Sequence, residues 1–283
     1  MEFVTNPIDW WIEPFSQNEF MRSALYAALL TVVATSLVGT WVVLRGMSFL
    51  GDAIAHAVLP GIAIAFVIGG NTTIGAFVAA LAMVAGINVI RSHSPLPDDT
   101  AIGVLFVGFL ALGVVIMSSQ SGSYAGDLNR FLFGSVTGIT DDDLVRQAIA
   151  AAIAVVGVFV FHRAFLMLTF DETQARLLGA RPRLAHAVLL ALIAIAIVAS
   201  FETVGNLLVF AFLIAPPATA TLLVSRVPRM MVLALVLGSL AATVGLLISF
   251  HHDTAAGGTM ALVAVAIFLV VLTGQIVQSA VRA

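Results

Sequence analysis

The length of the uncharged stretches constrains this chain most strongly. Between Asp52 and Arg91, 38 consecutive residues include no Arg, Asp or Glu. A helix needs about 20 mostly apolar residues to cross a bilayer, so this stretch predicts two membrane-spanning helices. Gly69-Gly70-Asn71 in its middle predicts the turn between them. Because 61% of the residues are hydrophobic and only 10% are charged, one water-soluble core could not bury the apolar surface. We therefore expect an integral membrane protein.

Uncharged stretches recur along the rest of the chain. They occupy Ser23–Leu44, Thr100–Met117, Leu144–Phe165, Leu184–Phe201, Val204–Ser225, Met230–Phe250 and Thr259–Gln278. The sequence therefore predicts an all-α fold, a polytopic membrane helix bundle with about nine transmembrane helices, eight being the alternative number. Residues 1–283 are expected to form a single transmembrane domain, with residues 1–19 as an N-terminal interfacial segment.

The arginines predict the orientation of this bundle. All 12 basic residues are Arg. If the C-terminus lies inside the cell, nine of them fall in inner loops, and only Arg22, Arg130 and Arg146 fall outside. Cytoplasmic loops carry an excess of basic residues, which favours this orientation and places the N-terminus outside. Trp10 and Trp11 would then anchor the interfacial segment at the outer membrane surface.

The composition also excludes several functions. A chain without Lys has neither a phosphate-binding GxxxxGK[ST] loop nor a Schiff-base lysine, so any ATP-driven work requires a separate subunit. Without a basic patch, binding to nucleic acid is not expected. The absence of Cys excludes disulfides and thiolate metal sites. We therefore expect no enzymatic activity and no permanently bound cofactor in this chain.

Asp52 and His56 form the most informative polar pair. Ionisable residues within a membrane are costly and are therefore candidates for function. A spacing of four places both on one helix face, and a carboxylate with an imidazole suits a divalent transition metal. Two ligands are too few for a zinc site, so a twofold dimer would have to supply two more. Alternatively, Asp52 caps its helix and His56 bonds a neighbouring carbonyl group.

Other polar residues have open interpretations. Glu202 lies between two predicted spans, where it either guides cations inward or caps the following helix. His251, His252 and Asp253 lie at an outer helix end, where they either collect metal ions or form a solvated loop. Pro216 and Pro217 fall within a predicted span and produce either a gating kink or a fixed bend. In the cytoplasmic segment 166–183, residues 170–179 predict a short helix that could dock into a partner.

Three segments together resemble the permease subunit of the zinc/manganese/iron-type metal ABC importer family. The first runs from Arg45 to Gly61 and contains Gly51-Asp52-Ala53-Ile54-Ala55-His56. The second is Phe131-Leu132-Phe133-Gly134-Ser135. The third runs from Val204-Gly205-Asn206 to Pro216-Pro217-Ala218-Thr219-Ala220. The likeness spans nearly the whole chain, and the first segment is the most specific.

This resemblance implies a homodimeric permease in the bacterial plasma membrane. It would work with a cytoplasmic ABC ATPase, which binds the ATP, and with an external or periplasmic metal-binding protein. The resemblance makes Asp52 and His56 ligands of transported Zn²⁺, Mn²⁺ or Fe²⁺. It also makes Asp171, Ala175 and Gly179 the landmarks of a coupling helix that contacts the ATPase. The alternatives are an ion-coupled secondary metal transporter, which would carry more intramembrane carboxylates, and a non-transporting membrane scaffold.

Overall fold

The fold is built entirely from helices over the residues that the structure, a computed structural model, describes. These are residues 7–118, 138–170, 177 and 181–282, with side chains described except at 7–9, 98, 202 and 282. The helices are α1 Pro7–Gln17, α2 Glu19–Leu44, α3 Phe49–Ala57, α4 Leu59–Val67, α5 Thr72–His93, α6 Asp98–Ser118, α7 Asp141–Val160, α8 His162–Phe170, α9 Pro182–Val204, α10 Asn206–Leu223, α11 Val227–His252 and α12 Ala256–Arg282.

Nine membrane spans are present among the described residues, as the sequence predicts. Helices α3 and α4 together form one span, Phe49–Val67, and helices α7 and α8 form another, Asp141–Phe170. The other spans coincide with α2, α5, α6, α9, α10, α11 and α12. Apolar side chains of the spans are buried between the helices of the bundle. Helices α6 and α12 are the least buried spans, so most of their surface faces outward from the chain.

Helix α2 is the centre of the bundle. It packs against α7, α9, α10 and α11 and is the most deeply buried of the nine spans. Its polar residues Thr31, Thr35 and Thr40 are buried, and each hydroxyl donates to the carbonyl oxygen four residues before it. This local bonding satisfies hydroxyl groups that would be costly to leave unpaired in an apolar interior.

Helix α10 continues through Pro216 and Pro217. Because a proline has no N–H, Pro216 leaves the carbonyl oxygen of Phe212, four residues earlier, without its usual helical donor. The hydroxyl of Ser36 on α2 donates to that oxygen over 3.3 Å. Helix α2 therefore replaces the hydrogen bond that the proline removes.

Helices α2 and α3 both approach Leu213, whose carbonyl oxygen loses its helical donor because of Pro217. At Gly39 on α2, an added Cβ would overlap this carbonyl oxygen, so only glycine permits the close approach. At Gly51 on α3, an added Cβ would overlap the side chain of Leu213. The proline region of α10 is thus in direct contact with the helix that carries Asp52.

Candidate functional site

Asp52 and His56 lie on the single accessible face of α3. The positions on this helix that retain exposure are Phe49, Asp52 and His56, and the next such position is Leu59 at the start of α4. Their spacing of three, four and three residues is one helical face. The other residues of α3 are buried against the bundle. The helix therefore presents one carboxylate and one imidazole together on its open side, as the spacing predicts.

The two side chains are in contact. Nδ1 of His56 lies 3.0 Å from the main-chain carbonyl oxygen of Asp52 and 3.3 Å from its carboxylate Oδ1. Since a carbonyl oxygen only accepts, this hydrogen bond requires the proton on Nδ1. In the neutral imidazole the lone pair then belongs to Nε2, which points away from Asp52. Metal-binding histidines are commonly oriented by such a bond from the other ring nitrogen.

Aromatic side chains and a break in the helix fix the position of His56. Its ring meets the ring of Phe106 on α6 edge to face, with centroids 5.7 Å apart, and Phe106 also contacts Phe49 at 5.4 Å. The helix breaks at Val58, just beyond His56. Pro60 contributes to this break because it cannot donate to the carbonyl oxygen of His56. The result is a half-buried imidazole held between α3 and α6.

One copy of the chain supplies too few ligands for a complete metal site. Among the described residues, no group of three or more His, Cys, Asp or Glu side chains could hold a metal ion together. Asp52 and His56 therefore stand as a pair of donors, whereas transition metals such as Zn²⁺ normally take four ligands. Any site built on this pair must draw its remaining ligands from water or from another chain.

Some residues predicted as functional lie outside the described part of the chain. These include Asp171, Ala175 and Gly179 of the coupling segment and the Phe131–Ser135 motif. The side chain of Glu202 is likewise not described, although its backbone lies in α9. Pro216 and Pro217 are described, and both are buried inside a continuous α10.

His251 belongs to a packing contact of the N-terminal segment. Its ring stacks on the ring of Trp10 with centroids 4.5 Å apart, and its Nε2 lies 3.2 Å from the main-chain oxygen of Trp10. His252 is exposed beside it. Asp253 ends α11 in the left-handed conformation, with φ of 50°. For His251 and Asp253 this geometry indicates a structural role, which is neither the metal capture nor the solvated loop that the sequence left open.

A buried polar cluster near the beginning of α7 was not predicted from the sequence. Gln147 is almost fully buried, and its Nε2 donates to Thr31 Oγ1 over 2.9 Å and to Thr203 Oγ1 over 2.8 Å. It thereby joins α7 to α2 and α9. A single Gln one turn inside an apolar span was the available signal, because a side-chain amide in that position needs partners.

Comparison with known proteins gives consistent matches along the chain. The model of the ABC 3 transport family matches residues 17–275. The manganese transport system membrane protein MntC of Listeria monocytogenes is 37% identical over 260 residues, which is 92% of each chain. A protein of Haemophilus influenzae described as a probable iron transport system membrane protein is 36% identical over 265 residues, covering 93% of this chain and 96% of its own.

A solved structure has the same architecture. PsaBC from Streptococcus pneumoniae in complex with Fab matches with a TM-score of 0.81 and 33% sequence identity. The match covers 92% of this chain and 94% of the other. The two proteins therefore share their fold over the matched residues.

Proposed function

We propose that Asp52 and His56 bind a divalent transition metal ion in transit through the membrane. The chain belongs to the ABC 3 transport family. It is therefore a membrane-spanning permease subunit of a bacterial ABC importer for such ions. The observation that carries this proposal is the contact of the two side chains, 3.3 Å apart on the open face of α3. Ionisable groups within a membrane span mark transport pathways. The orientation of His56 by the carbonyl group of Asp52 suits a metal ligand.

The transported ion is proposed to be Mn²⁺ or Fe²⁺. A carboxylate oxygen and an imidazole nitrogen fit either ion, and they also fit Zn²⁺. The relatives named above are described as manganese and iron transport proteins, which favours the first two. The ion is cargo, so the site must hold it and then release it, and a small number of protein ligands serves that purpose.

A second copy of this chain is proposed to complete the site. The face of α3 with Asp52 and His56 is accessible in one copy, while the rest of that helix is buried. A twofold axis beside this face would bring together two carboxylates and two imidazoles, four oxygen and nitrogen donors of the kinds that Mn²⁺ and Fe²⁺ take. Most oligomers of identical chains are such twofold dimers.

The energy is proposed to come from a cytoplasmic ATPase partner, in keeping with the family. The segment 166–183, with Asp171, Ala175 and Gly179, is proposed to contact that partner. Its first residues belong to α8, and Arg45 donates from Nη1 to the carbonyl oxygen of Leu168 over 3.0 Å. Arg45 follows α2 directly and precedes α3 by a short turn. Movement of the segment would therefore be transmitted through Arg45 to α3, the helix that carries Asp52.

Uptake measurements on the assembled complex test the site. The double variant Asp52→Asn with His56→Gln keeps the approximate size of both side chains and removes the carboxylate charge and the imidazole nitrogen. Mutation of a group that only orients a metal ligand already costs about 10-fold or more in metal affinity. Loss of the ligands themselves should therefore lower the uptake of radiolabelled Mn²⁺, Zn²⁺ and Fe²⁺ at limiting concentration by at least that factor.

The matched control is the double variant Asp99→Asn with His93→Gln, which changes one Asp and one His at exposed positions. Its uptake should equal that of the wild type. Undiminished uptake of all three ions by the Asp52 and His56 variant would overturn the assignment of the site while leaving membership of the family intact.

A further inference from the structure

A cleft lined by arginines opens at one end of the bundle, and neither Asp52 nor His56 is among its lining residues. It lies between the end of α5 and the beginning of α9 and has a volume of about 590 Å³. The polar residues that line it are Asn88, Arg91, Ser92, Arg183 and His186. The arginine distribution places this end of both helices at the cytoplasmic surface.

The helix that borders this cleft also favours an anion. Helix α9 begins after Arg181, whose side chain provides no capping hydrogen bond, and its first turn contains no acidic residue. The free N–H groups and the dipole at the beginning of a long helix attract negative charge. Arg181 and Arg183 also line an adjoining cavity of about 420 Å³. The positive end of the α9 dipole and the side chains of Arg181 and Arg183 therefore lie close together beside the cleft.

A buried histidine supplies an independent signal. His186 is fully buried, and its Nε2 has no hydrogen-bond partner among the described residues. Its Nδ1 lies 3.5 Å from Nη2 of Arg45. A guanidinium group only donates, so Nδ1 must accept, and the proton of the neutral ring lies on Nε2. His186 is therefore a lining residue of the cleft that carries a buried N–H group in need of an acceptor.

Apolar residues at the mouth of the cleft indicate the kind of anion. Val89 is 58% exposed and Leu184 is 52% exposed, and both line the cleft beside the arginines. Basic pockets between membrane helices on the cytoplasmic side suit acidic lipid headgroups. A phospholipid would place its phosphate against Arg183 and His186 and its acyl chains along Val89 and Leu184. Free phosphate would not use those apolar residues.

We propose that this cleft binds the phosphate group of an acidic phospholipid from the cytoplasmic leaflet. The lipid phosphate would accept hydrogen bonds from Nε2 of His186 and from the free N–H groups in the first turn of α9. This proposal depends on the membrane orientation and not on the assignment of the metal site.

Lipid titration of the full-length, delipidated chain in detergent tests this proposal. The thermal unfolding midpoint is followed as phosphatidylglycerol, phosphatidylcholine or inorganic phosphate is added, since a ligand that binds the folded state raises the midpoint. Phosphatidylglycerol should stabilise the wild-type chain more than phosphatidylcholine does. Arg183→Gln should weaken the apparent affinity for phosphatidylglycerol about fivefold, the effect of one basic side chain near an anionic surface.

Matched variants decide between the outcomes. Arg183→Lys keeps the charge and should bind nearly as well as the wild type. Arg229→Gln removes another exposed arginine of the predicted cytoplasmic face, outside the cleft, and should have no effect. His186→Leu removes the buried donor and should weaken binding even if it lowers the starting stability. The proposal would be overturned if Arg183→Gln and Arg229→Gln weakened the binding of phosphatidylglycerol equally, or if neither weakened it. It would also be overturned if inorganic phosphate stabilised the chain as much as phosphatidylglycerol does.

Discussion

The hydroxyl group of Ser36 on α2 donates a hydrogen bond to the carbonyl oxygen of Phe212 on α10. That oxygen is the one that Pro216 cannot bond, so the central helix of the bundle compensates for a proline in its neighbour. The compensation ties α10 to α2 in a region that also touches α3, the helix of the candidate metal site. A proline-containing helix held in this way is a fixed part of the bundle in this conformation.

Removal of this hydroxyl group should destabilise the protein. Ser36→Ala leaves the buried carbonyl oxygen of Phe212 without a donor, which costs about 1–3 kcal/mol. The thermal unfolding midpoint of the purified chain in detergent measures the loss. Ser279→Ala is the control, because this exposed serine bonds only within its own helix. Equal midpoints for the two variants would contradict the role of Ser36.

The close approach at Gly39 should tolerate no side chain. In Gly39→Ala the new methyl group would overlap the carbonyl oxygen of Leu213, so α2 and α10 would have to separate. Overpacking of this kind costs about 1–3 kcal/mol. Gly274→Ala is the matched control, since nothing lies within 4 Å of the added Cβ. The control should keep or raise the midpoint, because alanine favours a helix by about 1 kcal/mol over glycine.

Substitution of Gly51 should affect transport more than stability. The methyl group of Gly51→Ala would overlap the end of the Leu213 side chain and no backbone atom, so rotation of Leu213 relieves most of the overlap. The unfolding midpoint should therefore change little. The part of the overlap that this rotation does not relieve would displace α3 and with it the adjacent Asp52, and misplacement of a reacting group by about 1 Å costs enzymes about 100-fold in rate. Uptake of Mn²⁺ by the assembled complex measures this, and normal uptake would show that α3 absorbs the change.

The amide of Gln147 should act as a structural connection among three helices. Gln147→Met keeps the length of the side chain and removes both hydrogen bonds, so the loss should be about 1 kcal/mol per bond. Gln17→Met is the control, because that glutamine is exposed and bonds only Glu13 within α1. Thermal unfolding compares the two variants. A control that loses as much as Gln147→Met would argue against the importance of the buried cluster.

His251 and its neighbour His252 should behave differently. His251→Ala removes the stacking on Trp10, a kind of contact worth about 0.5–1.5 kcal/mol. The helix α1 should then exchange its amide hydrogens faster. His252→Ala changes an exposed residue and should leave the exchange unchanged. Neither variant should reduce metal uptake, and a reduction with normal exchange would restore a role for this pair in metal capture.

The fold class followed from the sequence because a bilayer imposes a simple rule on the chain. Uncharged stretches of sufficient length must become helices, since the backbone has to satisfy its own hydrogen bonds in lipid. The number of spans and the turn at Gly69-Gly70-Asn71 were therefore predictable. The break between α3 and α4 at Val58 was not predicted, although Pro60 was a signal for it.

The candidate site was predictable for a similarly local reason. A spacing of four residues places Asp52 and His56 on one helix face whatever surrounds them. Only the tertiary structure decided that this face is the open side of α3, because that depends on how α5, α6, α9 and α10 pack around the helix. The sequence also could not pair Ser36 with Phe212 or Arg45 with His186, since contacts between distant residues arise from packing and not from periodicity.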